Sequence, residues 1–108
     1  MFEVIRYRLA SGKHPFDEWL RSLRDKVAQT RVLARMRQLE AGNLGDCAPL
    51  GEGILELRIH VGAGYRVYIA RHGETMIILL CGGDKSSQNR DIEKAKSFWV
   101  DWKRRQLP

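Results

Sequence analysis

The sequence predicts an α+β fold with a mostly antiparallel sheet, an N-terminal helical hairpin and a C-terminal helix. Three observations carry that expectation. Two alternating runs, Glu56 to Val61 and Tyr65 to Ile69, flank a glycine-bracketed loop, as in a hairpin with one buried face. Apolar residues recur at helical spacing over 16–23, 28–39 and 92–102. The run "MIILLC", Met76 to Cys81, is apolar without alternation, the pattern of a strand covered on both faces.

The elements follow in order. Phe2, Val4, Ile5, Tyr7 and Leu9 suggest a first strand, closed by the turn "SGKH". Pro15 suits a first helical position, where its missing N–H is no loss. Phe16, Trp19, Leu20 and Leu23 then form one stripe, with Asp17 and Glu18 in the favourable first turn and Trp19 as core anchor. Asp25 is placed to cap a second helix, whose inner stripe is Ala28, Val32, Met36 and Leu39, widened by Leu33. Arg31, Arg35 and Arg37 fall mostly outside. "AGNLGD" ends this helix, with Gly42 or Asn43 able to take a left-handed cap.

Three strands are expected next, about 54–61, 65–71 and 75–81, with "HGE" as the tight turn between the last two. Gly82 and Gly83 read as a strand break. Ser86 or Ser87 then caps a last helix with Ile92, Ala95, Trp99 and Trp102 on its buried stripe. Lys103, Arg104 and Arg105 complement the dipole at its C-terminal end.

With 108 residues, 44% hydrophobic and 30% charged, the chain suits one domain, 1–108, with a core that needs no metal or disulfide. Its formal net charge of +6 favours an anionic partner, either nucleic acid or an acidic protein. Cys47 and Cys81 fit no metal-ligand or CxxC pattern, and Cys81 reads as a buried small hydrophobe. The charged, alternating N-terminus is unlike a signal peptide, and the longest apolar run is too short to span a membrane. A cytoplasmic protein is the simplest expectation.

The hairpin register decides which polar residues converge. A three-residue loop, Gly62-Ala63-Gly64, sets Val61 opposite Tyr65, Ile59 opposite Val67, His60 opposite Arg66 and Arg58 opposite Tyr68. An even loop would mix apolar and charged groups on one face. The polar face then carries Glu56, Arg58, His60, Arg66 and Tyr68. Two arginines so close on a sheet need a carboxylate or an anion between them. The face is either an ordinary solvated one or a phosphate site, and spacing alone leaves both open. Lys85 and Gln88 approach it if the third strand pairs beside the hairpin.

"GNLGD" at 42–46, "ELRIHVGAGYRVYI" at 56–69 and "LLCGGDKSSQNRDIEKAK" at 79–96 together resemble the HigB-like branch of the RelE/ParE toxin superfamily, the addiction module killer proteins. The resemblance covers nearly the whole chain. It implies a RelE-like toxin of a type II toxin–antitoxin system, neutralised by a cognate antitoxin and linked to DNA only through a toxin–antitoxin repressor complex. It further implies a metal-independent mRNA endonuclease without cofactors, acting on translated messages at the ribosome. The products would be a 2′,3′-cyclic phosphate and a 5′-hydroxyl.

On that reading Arg58 and Arg66 hold the phosphate, and Lys85 stabilises charge or protonates the leaving oxygen. His60 is the candidate base, since imidazole ordinarily titrates near neutrality. Tyr68, Gln88 and Lys94 are the candidate RNA contacts. Two other functions fit the same fold: a ParE-like inhibitor of DNA gyrase, and a non-enzymatic module that binds nucleic acid or antitoxin.

Overall fold

A computed structural model describes residues 1–108. The elements are β1 (Glu3–Arg6), α1 (Pro15–Ser22), α2 (Lys26–Glu40), β2 (Cys47–Gly51), β3 (Ile54–Ile59), β4 (Tyr65–His72), β5 (Met76–Asp84), a single 3₁₀ turn (Lys85–Ser87) and α3 (Gln88–Arg105). The five strands lie in the order β1-β5-β4-β3-β2. The fold is α+β as expected, but the sheet is mixed rather than mostly antiparallel. β2, β3, β4 and β5 pair antiparallel in sequence, whereas β1 runs parallel to β5. A parallel pair needs a long crossover. Here the chain between the two strands supplies both the helical hairpin and three further strands.

The sheet separates two cores. Phe16, Val32, Leu39, Leu57, Val67, Ile69 and Ile77 pack beneath α1 and α2. Tyr7, Ile54, Tyr68, Ile78, Leu80, Ala95 and Trp99 pack beneath α3. β5 therefore has helices on both sides, which accounts for its unbroken apolar run. Asp25 caps α2 as expected, its Oδ1 accepting from the backbone N–H of Val27 at 3.0 Å and Ala28 at 3.1 Å. Gln29 ties the hairpin by donating from Nε2 to the carbonyls of Leu20 and Leu23, both at 3.0 Å. Trp19 lies partly buried beside Phe16 and Tyr65.

Three local expectations are corrected. The strand β2 was not foreseen: "CAPLG" has no alternation, and Pro49 cannot donate to a ladder. An edge strand tolerates that loss, and β2 is at the edge. Gly82 and Gly83 do not break β5, which runs through them to Asp84. They are needed for close approach. A Cβ on Gly82 would sit 2.3 Å from the Trp19 ring, and one on Gly83 would sit 1.8 Å from the Asp91 carboxylate. Arg35, expected outside, is turned inward and only 8% exposed. Its guanidinium lies on Gly45, where any Cβ would collide with it, and Nη2 donates to the Asp46 carbonyl at 2.8 Å.

Ser87 takes the N-cap position of α3, but its hydroxyl donates to the Asp91 carboxylate rather than capping the backbone. Burial pushes the Cys81 thiol up to about 12, reinforced by the nearby Asp91 charge, so it is the inert buried thiol expected. No helix is long and apolar enough to cross a membrane.

Candidate functional site

The site is built on β3 and β4, and their register differs from the expected one. Ile59 pairs with Tyr65, Arg58 with Arg66, Leu57 with Val67, and Glu56 with Tyr68. The loop comprises residues 60–64, not three. Gly62 (φ 52°) and Gly64 (φ 77°) are both left-handed, and Gly64 N–H closes the turn on the Val61 carbonyl at 3.0 Å. The shift between the two registers is two residues. An even shift keeps every side chain on its face, so the polar group survives while its partners change. Arg58 now faces Arg66 directly, and His60 leaves the strand.

Two arginines opposite each other repel. Glu56 is the counterweight. Its side chain is 1% exposed, and its Oε1 lies 3.2 Å from Arg58 Nε and 3.7 Å from Arg66 Nε. Its other oxygen accepts from Gln88 Nε2 at 2.8 Å, so α3 contributes to the cluster through its first residue. Arg66 is anchored by donation from Nη1 to the Gly64 carbonyl at 2.9 Å. Its Nε is buried and has no hydrogen-bond partner. One carboxylate thus serves two guanidiniums, and the cluster keeps a net positive charge with an unused donor.

The other expected residues divide. Lys85 is exposed at the start of the 3₁₀ turn and borders the cluster: a Cβ on Gly64 would lie 3.5 Å from Arg66 Nη1 and 3.9 Å from Lys85 Cβ. His60 is exposed, with Nε2 2.5 Å from Asp46 Oδ2. That hydrogen bond, ahead of the charges around it, holds the Asp46 carboxyl below its ordinary range. Asp46 is therefore ionised and fixes one face of the ring, leaving Nδ1 uncommitted.

Tyr68 is not an RNA-facing residue in this fold. It is fully buried beneath α3 with its hydroxyl unpartnered. Burial, and then the Glu56 and Asp91 charges, raise its pKa well above the tyrosine range, so the hydroxyl stays protonated. Lys94 is also apart from the cluster. It lines a separate cavity of about 630 Å³ with Gly82, Gly83 and Asp91. Neither a solvated face nor an open phosphate trough describes the arrangement as a whole: Glu56 and Tyr68 form a buried floor, and Arg58 is the half-exposed rim.

Sequence reasoning missed Asp46, although it closes the quoted "GNLGD". A carboxylate after a glycine turn carries no signal of its partner, which lies 14 positions away. No three His, Cys, Asp or Glu side chains come together as a metal-ion ligand set.

Comparison with known proteins places this geometry in a family context. Residues 18–98 match the family described as "Phage derived protein Gp49-like (DUF891)". A Haemophilus influenzae protein, named only "Uncharacterized protein", is 48% identical over 81 residues, which covers 75% of this chain and 82% of that one.

Proposed function

The chain belongs to the phage-derived Gp49-like family, and from that premise we propose that it is the toxin of a type II toxin–antitoxin pair, a RelE/HigB-like endoribonuclease of the cytoplasm. The observation that carries this reading is the Arg58–Arg66 pair, set face to face over a single buried carboxylate. A phosphodiester is the anion such a pair accommodates, since each guanidinium offers a fork of donors to phosphate oxygens.

The reaction proposed is metal-independent cleavage of translated mRNA. The ribose 2′-hydroxyl attacks the adjacent phosphorus, the bond from phosphorus to the 5′-oxygen breaks, and a 2′,3′-cyclic phosphate and a 5′-hydroxyl result. One proton must leave the 2′-hydroxyl and one must reach the 5′-oxygen. Arg58 and Arg66 neutralise the non-bridging oxygens as charge builds on them. Glu56 is a positioning residue that holds the two guanidiniums in place, and Gln88 fixes Glu56 in turn. Lys85 stabilises the leaving oxygen or protonates it. The His60–Asp46 pair supplies the base, with Asp46 orienting the ring. The partner is a cognate antitoxin, whose acidic groups would cover the same cations.

The test is induction in cells with transcript 5′ ends mapped. New 5′-hydroxyl ends within translated messages are expected. Arg66→Ala should cut cleavage by about 100-fold or more, the usual cost of removing one oxyanion donor. Circular dichroism of the purified variant confirms that it is folded. Arrest with DNA damage and intact messages would replace this reading with gyrase inhibition. A folded Arg66→Ala protein that cleaves like the parent would remove the site.

A further inference from the structure

A second cationic site lies around the end of β3 from the first. Between α2 and the end of β3 is a cavity of about 290 Å³, lined by Arg31, Arg35, Gln38, Arg58, Ile59 and His60. Its charges are offset only in part, by the Asp46 carboxylate, which acts on Arg58 and Arg35. Arg31 is exposed and takes part in none of the ion pairs of the chain. Arg35 is 8% exposed, donates to a backbone carbonyl rather than a carboxylate, and keeps Nη1 without a partner. One carboxylate, Asp46, bonds His60 and is set against the three arginines of the cavity, and Glu56 is shared by Arg58, Arg66 and Gln88, so the cavity stays positive in sum.

Arg31 and Arg35 stand four apart on one helix, a spacing at which like charges repel. An anion between them would offset that. The volume sits at or below the bottom of the range for small-molecule sites, which runs from about 300 Å³. It suits a phosphate group with water rather than a base. Arg58 belongs to both places: it touches Glu56 in the first cluster and lines the second cavity.

We propose that this cavity is a second phosphate subsite, which takes a backbone phosphodiester of the RNA strand whose scissile phosphate lies over Arg58 and Arg66. The inference rests on the endoribonuclease reading above. Arg31 closes the subsite from α2, Arg35 gives it a fixed charge, and Arg58 joins it to the first. The strand would turn around the end of β3, which sets the side of the cut on which RNA is held.

The experiment is a salt titration of binding to a 2′-O-methyl RNA decamer, which cannot be cleaved. Parent, Arg31→Ala and Arg37→Ala are compared. Arg37 is exposed on the same helix but does not line the cavity. Arg31→Ala should weaken binding several-fold at low salt and flatten the slope of log K against log salt by about 0.7, one single-strand phosphate contact. Arg37→Ala should leave the slope unchanged. If Arg31→Ala and parent share slope and affinity, the subsite is wrong and the first site stands. If both arginine variants lose equally, the effect is diffuse charge and the subsite is also wrong. If the parent itself fails to bind, the subsite falls, while the endoribonuclease reading is decided by the mapped transcript ends. An equal Arg31 effect on a poly-glutamate peptide would assign the cavity to a carboxylate partner instead.

Discussion

Glu56 and Asp101 each hold two arginines, and the two clusters are built to opposite effect. Asp101 is on α3 with both partners, Arg104 and Arg105, three and four residues along the same helix. It also accepts from the Tyr7 hydroxyl at 2.6 Å. Arg105 goes on to donate to the Arg8 carbonyl at 2.7 Å and lies over the Tyr7 ring. None of the side-chain polar atoms of this group is left buried without a partner. It fastens the C-terminal helix to the end of β1. The Glu56 cluster has its partners on opposing strands and leaves Arg66 Nε unused. A satisfied cluster is a clasp. An unsatisfied one, positive in sum and open at Arg58, is a place for an anion.

Removing the Glu56 charge should give the largest effect of the variants that test this contrast. In Glu56→Gln the amide can still accept from Gln88, but Arg58 and Arg66 face each other without a carboxylate. Arg58 can turn to water, being 42% exposed, whereas Arg66, at 15%, cannot. Breaking a buried pair in this way should cost about 3 kcal/mol, read as a lower midpoint in urea unfolding. Added phosphate or sulfate should restore part of the loss, because the anion occupies the space between the arginines. Full stability without added anion would mean the two cations need no counter-charge, and the contrast with Asp101 would collapse.

The clasp gives a smaller effect of a different kind. Tyr7→Phe removes the hydrogen bond to Asp101 and the weaker one accepted from Arg105 at 3.1 Å, while keeping the stacked ring, which lies 4.8 Å from Phe98. A loss of about 1 kcal/mol is expected, with RNA cleavage unchanged. A cleavage defect in a fully folded Tyr7→Phe protein would show that the two clusters are coupled.

Much of this was legible in the sequence because periodicity reports faces. The stripes Ala28-Val32-Met36-Leu39 and Ala95-Trp99 and the alternation from Glu56 to Ile69 placed the helices, β3 and β4, and the cations of the hairpin on a common face. What periodicity does not report is who covers a face. Tyr68 alternates correctly with Val67 yet is sealed by α3, so its position said nothing about access. The register was wrong by two residues, the one error that the apolar pattern cannot detect. β2 was invisible because Pro49 and Gly51 suppress any strand signal at an edge. Arg35 was misplaced because a charged side chain ordinarily faces water, even between Ala34 and Met36. Only Gly45, distant in sequence, makes room for it to turn in.

The pH dependence separates the clusters at the smallest scale. Arg105 first, then the Tyr7 and Arg104 hydrogen bonds, hold the Asp101 carboxyl well below the usual carboxylate range. A folded-state value below the unfolded one means that the native state prefers the charged form. The contribution is therefore complete above the unfolded value, about 3.9, and is lost as pH falls through the folded value. Asp101→Asn abolishes it at every pH. The midpoint gap between parent and Asp101→Asn should be widest at neutral pH, hold down to about pH 5 and close progressively below about pH 4. A gap of constant size into strong acid would show that the clasp works through geometry and not through the Asp101 charge. It would then differ from the Glu56 cluster in chemistry as well as in satisfaction, since there the strand register sets Arg58 opposite Arg66 and the Glu56 charge offsets their repulsion.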